Sequence, residues 1–217
     1  MLKITEIRKL TRKAMLLLPF CLAALALSLS ACSESDDTVE EYPNWENKNA
    51  TYWDSLYTAT QAKVNNGDTS WKIIKSFSIE DTLKSSPKTD YIIVNVQTAG
   101  KGSGCPLYTD SVRVRYTGQL LPSTSYPNGY IFDTTNYNEA ADSISGVADF
   151  KVSGLTSGFA TAVQHMHIGD VWEVYIPWAL GYGTTATSSI PAYSVLKFRI
   201  QLVAYARAGS KIGRAHV

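Results

Sequence analysis

Seven runs rich in β-branched and aromatic residues follow one another with a single short helical pattern among the last of them, and this order restricts the fold more than any other feature. The runs are SWKIIKSFSI (70–79), DYIIVNVQTAG (90–100), DSVRVRYTGQL (110–120), YIFDTT (130–135), ADFKV (148–152), DVWEVYIP (170–177) and SVLKFRIQLVAYA (194–206). The helical pattern, FATAVQHM at 159–166, starts just after Gly158. Strands on both sides of one short helix predict an α+β fold, an antiparallel sheet curled around that helix. No internal repeat is visible.

Upstream of the strands, Trp53, Leu56 or Tyr57, and Val64 recur at helical spacing, with Thr60 as a polar interruption on that face. NNGD at 65–68 ends the run. Residues 44–104 are therefore expected to form an N-terminal extension with one amphipathic helix, which could support the core or pair with a second copy of the chain. The glycines of GKGSG (100–104) read as a turn rather than a phosphate loop, because CPLYTDSVRVRY follows them, with Pro106 and alternating Val112, Val114 and Tyr116, where a phosphate loop would open a helix.

The first 31 residues differ in character from the rest. Lys3, Arg8, Lys9, Arg12 and Lys13 stand against Glu6 alone, and the apolar run AMLLLPFCLAALALSLSA (14–31) comes next. A basic segment followed by a short apolar one, interrupted by Pro19, reads as a signal peptide rather than a membrane span of about 20 residues. Without it, 15 of the 20 basic and 18 of the 19 acidic residues remain, a net charge of −3. That balance lacks the basic field a nucleic-acid partner requires. LSAC at 29–32 resembles the bacterial lipoprotein signal, in which the cysteine carries the lipid, so Cys32 is expected to be lipidated and 1–31 removed. Residues 32–43, CSESDDTVEEYP, are polar and acidic after the cysteine and read as a flexible tether. Acidic residues directly after such a cysteine also resemble the surface-export signal of Bacteroidota lipoproteins. The location implied is the cell envelope, as an outer-membrane lipoprotein facing the periplasm or the cell surface. Once Cys21 leaves with the signal and Cys32 is modified, Cys105 has no partner for a disulfide. KIGRAHV at 211–217 resembles translated sequencing-adapter read-through, and 208–217 is read as a tail.

VRVRYTGQL, FDTT, GLTSGFATAVQHMHIGD, IPWALGYG, IP and LKFRIQL occur in the order and spacing of the FKBP-type peptidyl-prolyl cis-trans isomerases, a family that residues 105–207 resemble. The resemblance implies an isomerase that acts on proline-containing polypeptides and assists the folding of exported proteins, with no cofactor and no metal. It implies catalytic roles for Tyr116, Phe132, Asp133, Tyr182 and Phe198. It further implies substrate contacts from Leu155, Thr156, Phe159 and Ile190. Leu155 and Thr156 match a Val-Ile pair whose second backbone N–H holds a substrate carbonyl, and Phe159 stands where the family usually has a tryptophan on the pocket floor. Tyr182, between Gly181 and Gly183, would face bound proline under a flap ending at Ile190. Three departures are visible besides Phe159: the flap is a residue short, Ala148 replaces an aromatic, and PSTSYPNG (122–129) is an added loop. An FKBP-fold binding or chaperone module with little or no turnover is the alternative.

Other chemistry lacks its residues. His165 and His167 are two apart and point in different directions from a helix, with no further ligand at zinc-like spacing. GLTSG is not the G-x-S-x-G elbow of hydrolases, and Asp133 has no partnered carboxylate in its motif.

Overall fold

The computed structural model describes residues 39–80, 86–136 and 146–212. The signal-like segment, Cys32 and most of the acidic tether lie outside the described residues, as do the last five residues of the tail. Seven antiparallel strands form one sheet: β1 (Trp71–Lys75), β2 (Tyr91–Thr98), β3 (Ser111–Gln119), β4 (Ile131–Thr134), β5 (Ala148–Lys151), β6 (Val171–Ile176) and β7 (Leu196–Ala206). The order is β1-β2-β6-β7-β3-β4, and β5 pairs with β3. Among the described residues two α-helices accompany the sheet, α1 (Trp45–Asn65) and α2 (Ser157–His165).

The period-two pattern sets which face each strand buries. Along β7, every second residue from Leu196 through Phe198, Ile200, Leu202 and Ala204 to Ala206 is buried. Cross-strand partners share a face, so Val174 opposite Phe198 and Ile176 opposite Leu196 join that layer. The layer closes over α2, whose residues Gly158 to Val163 are all buried. Gly158 is required where helix and sheet touch, because a Cβ there would meet Ile176 Cγ2 at 2.3 Å. The opposite face carries Ile93 against Tyr175 and is covered by α1 through the Tyr52–Tyr175 ring contact at 6.5 Å. Buried from both sides, Ile92, Ile93 and Val94 form an unbroken apolar run.

α1 is longer than its periodic residues alone define, with Trp45, Asn49, Trp53 and Thr60 as its buried positions. Its apolar face lies on the chain's own sheet, with the Trp53 indole N–H donating to the Lys88 carbonyl at 3.2 Å and Lys63 over the Trp71 ring at 3.7 Å. Residues 71–98, expected within a separate extension, supply β1 and β2 of the common sheet, because β2 pairs with β6 from Ile93↔Tyr175 to Thr98↔Val171. The tether also ends earlier than residue 43. The Glu41 carboxylate accepts from the Ser123 hydroxyl at 2.5 Å and the Ser125 N–H at 3.0 Å, bonds that hold its pKa below the usual carboxylate value. Thr124 bonds the Glu40 carbonyl through its hydroxyl, at 2.9 Å. The added 122–129 loop is thus fastened to the residues that precede α1.

Candidate functional site

β3 and β7 run side by side, and at one end of this pair the sheet opens into a cleft. Gly118 of β3 stands opposite Phe198 of β7. A Cβ on Gly118 would come within 2.6 Å of both the Phe132 and Phe198 rings, so the missing side chain is what lets these two walls approach. β4 and β5 share the same edge of β3 end to end, β4 along Thr117–Gln119 and β5 along Ser111–Val114. This arrangement brings Phe132 and Phe150 to the same cleft. After β5 a single 3-10 turn, Val152–Gly154, leads through Leu155 to Thr156, which caps α2 and directs Phe159 inward.

The cleft encloses about 290 Å³ and is lined by Tyr116, Phe132, Asp133, Phe150, Phe159 and Phe198, with Leu155, Thr156 and Tyr182 at its rim. Its rings meet edge to face, Phe159 against Phe198 at 5.1 Å and 87°, Phe132 against Phe198 at 5.5 Å and 88°, and Tyr116 against Phe159 at 5.9 Å and 85°. Such geometry sets the positive edge of one ring on the negative face of the next, which fixes the walls beyond what area burial does. The cleft's carboxylate is engaged: the Tyr116 hydroxyl donates to Asp133 Oδ2 at 2.5 Å. Tyr182 is 45% exposed. Gly183 behind it takes φ +71°, a left-handed conformation that glycine adopts without strain, and its N–H bonds the Trp178 carbonyl at 2.9 Å. The Thr156 N–H has no hydrogen-bond partner among the described residues.

Eight of the nine predicted cleft residues meet here. Ile190 does not: it is 3% exposed and, with Tyr42, Tyr126, Tyr130 and Pro191, lines a separate cleft of about 510 Å³ behind the flap. Phe150 was missed as a site residue. Its ring lies 5.8 Å from Tyr116, and the signal for it was the strand ADFKV itself, where an aromatic two residues after Ala148 points to the same face as that position. Sequence separation also hid Cys105 Sγ, which lies 3.8 Å from His167 Nε2. Burial pushes the Cys105 thiol pKa up, and the negative charge of Asp170 pushes it the same way, so the pair holds a thiol and not the thiolate a nucleophile requires.

Residues 105–203, which contain every cleft residue, match the family model for FKBP-type peptidyl-prolyl cis-trans isomerases. The FKBP-type 22 kDa peptidyl-prolyl cis-trans isomerase of Escherichia coli K12 is 36% identical over 105 residues, covering 48% of this chain and 45% of that protein. The outer membrane protein MIP of Legionella longbeachae is 32% identical over 119 residues, covering 54% of this chain and 44% of that one. The chain thus spans less than half the length of either relative. The crystal structure of FkpA from Escherichia coli superposes with a TM-score of 0.51 at 22% identity, over 95% of this chain and 75% of that one, and shares its fold.

Proposed function

We propose that this chain is a peptidyl-prolyl cis-trans isomerase of proline-containing polypeptides. The observation that carries the reading is an aromatic cleft of about 290 Å³ with an unpartnered backbone donor, the Thr156 N–H, at its rim. An X–Pro bond resists rotation because C–N double-bond character charges the planar amide. As the bond twists, that charge separation is lost, so dry aromatic walls favour the twisted form over the planar one. Thr156 N–H would donate to the carbonyl on one side of the proline as a fixed anchor, while Phe159 and Phe198 close on the ring. Asp133, already bonded by Tyr116, orients that wall, and no group needs to gain or lose a proton. Magnetisation-exchange NMR on an Ala-X-Pro peptide should show cis-trans exchange accelerated by catalytic amounts of protein. Peptide binding without acceleration would replace this reading with that of a binding module.

The same reading extends to the envelope. LSAC after the apolar run supports a lipid on Cys32 and a membrane-held protein that assists the folding of exported chains. Wild-type protein should fractionate with membranes and take up labelled fatty acid, and Cys32→Ser should do neither. Equal labelling of the two would refute the anchor. Pairing with a second copy through residues 44–104 would have to use surfaces other than the apolar face of α1, which the chain's own sheet covers.

A further inference from the structure

The aromatic cleft does not end at Leu155. On the far side of that residue a second cleft of about 340 Å³ runs along α2, walled by Phe77 and Tyr108. Its floor is one stripe of the helix, Ser157, Ala160, Thr161 and Gln164, at the i, i+3, i+4, i+7 spacing of a single face. The polar groups of that stripe are turned back on the helix: the Thr161 hydroxyl donates to the Ser157 carbonyl at 2.8 Å and the Gln164 amide to the Ala160 carbonyl at 3.0 Å. With these groups turned inward, Ala160 and the side-chain carbons of Thr161 and Gln164 supply the apolar part of the floor.

The two walls are exposed aromatics held in place. Phe77 is 61% and Tyr108 58% exposed. Phe77 stacks on His165 with centroids 4.6 Å apart and planes 11° from parallel, and the Ser76 hydroxyl beside it bonds Thr161 Oγ1 at 3.1 Å. The turn carrying Tyr108 is fixed by the buried Asp110, which accepts from the Leu107 N–H at 2.8 Å and from Arg207 at 2.6 Å. Two exposed aromatic rings held in fixed positions along one groove form the kind of exposed apolar patch that marks a binding surface.

We infer that this groove is a second subsite for the substrate polypeptide, taking an apolar side chain of the same chain whose proline occupies the aromatic cleft. The inference rests on the proline reading of that cleft, and the shared wall at Leu155 commits the groove to this occupant: a chain leaving the first cleft past Leu155 enters the second directly. From Ser157 to Gln164 the helix advances about 10 Å, the reach of about three residues of extended chain. The preferred substrate is then an unfolded segment with an aromatic or aliphatic residue some three to five positions from the proline, and short peptides use only half of the site.

Two peptides with a common Ala-Leu-Pro-Phe centre test it, one of four residues and one of twelve with leucines at the outer positions on both sides. By exchange NMR the longer peptide should have a kcat/KM about tenfold higher in the wild type, the effect of burying one apolar side chain. Tyr108→Lys and Phe77→Ser should bring the long peptide down to the short one's value without changing the short one. Tyr108→Phe, which keeps the ring, should retain the advantage. Equal kcat/KM for both lengths in the wild type, or an equal drop for both in the variants, would overturn the subsite. If neither peptide is turned over, the proline reading fails by itself. Fluorescence anisotropy then decides the groove, with tighter binding of the long peptide that is lost in Tyr108→Lys upholding it and equal binding overturning it. Sedimentation showing a dimer that Tyr108→Lys dissolves would assign the groove to a second copy of the chain instead.

Discussion

Gly118 shows how much of the site depends on an absent atom. Its backbone is ordinary strand, yet a methyl group there would stand 2.6 Å from Phe132 Cε2 and Cζ and from Phe198 Cε1. Phe198 is 5% exposed and packed edge-on against Phe159, so its ring has no room to retreat, and Phe132 would have to swing into the cleft. Gly118→Ala should therefore close the cleft while the sheet persists, lowering kcat/KM about a hundredfold with little change in far-UV circular dichroism. Phe132→Ala acts in the opposite sense, by opening the wall. It should cost about 2 kcal/mol of transition-state stabilisation, some thirtyfold in kcat/KM. Full activity in both variants would mean that proline binds elsewhere.

At the scale of elements, the outer surface of the sheet carries a titration of its own. Tyr175 of β6 lies under α1, and its hydroxyl donates to Glu173 Oε2 at 2.9 Å. Burial first, then the Glu173 carboxylate, raises the Tyr175 phenol far above the usual 10, and the same two causes in the same order raise Tyr52 of α1. Because the folded pKa values exceed the unfolded ones, the stabilisation is complete below pH 10 and is lost as pH climbs beyond it, where the unfolded chain ionises phenols that the folded chain keeps neutral. Melting temperature should fall steeply above pH 10, and Tyr175→Phe should flatten that limb. Superimposable alkaline limbs would show that these phenols ionise without unfolding. The seven described strands were legible from their β-branched and aromatic runs and the two described helices from helical spacing, since each needed only its own residues. The placement of β5 was not: four residues, none of them buried, carry no strong pattern, and their position is set by Ser111–Val114 of β3. Likewise nothing near Ile190 in sequence indicates that Tyr42 and Tyr130 would draw it away from the aromatic cleft.

Across the whole molecule, α1 and the segment leading into β7 are joined by polar contacts that no local pattern could reveal. Asn49 of α1 is fully buried and spans 146 positions to accept the Val195 N–H at 2.8 Å, while its amide donates to the Trp45 carbonyl at 2.7 Å. Beside it the Trp45 indole N–H bonds the Ser194 hydroxyl at 2.9 Å, and that hydroxyl donates in turn to the Pro191 carbonyl at 2.7 Å. These bonds fix the segment between the flap and β7, so α1 holds one side of the route along which Phe198 reaches the cleft. Asn49→Leu keeps the volume but removes both functions of the amide, leaving the Val195 N–H buried without a partner at a cost of about 1 to 3 kcal/mol. For a domain of this size, at about 2 to 4 °C per kcal/mol, that should lower Tm by about 2 to 12 °C. A merely local loss would stop there. If α1 braces the flap, hydrogen exchange should also quicken at Thr187 and Ile190, whose amides bond within the flap at 2.8 and 3.0 Å, and far less at β2, which α1 reaches through apolar contacts. A lowered Tm with unchanged exchange at those two amides would show that α1 stabilises the sheet without bracing the flap.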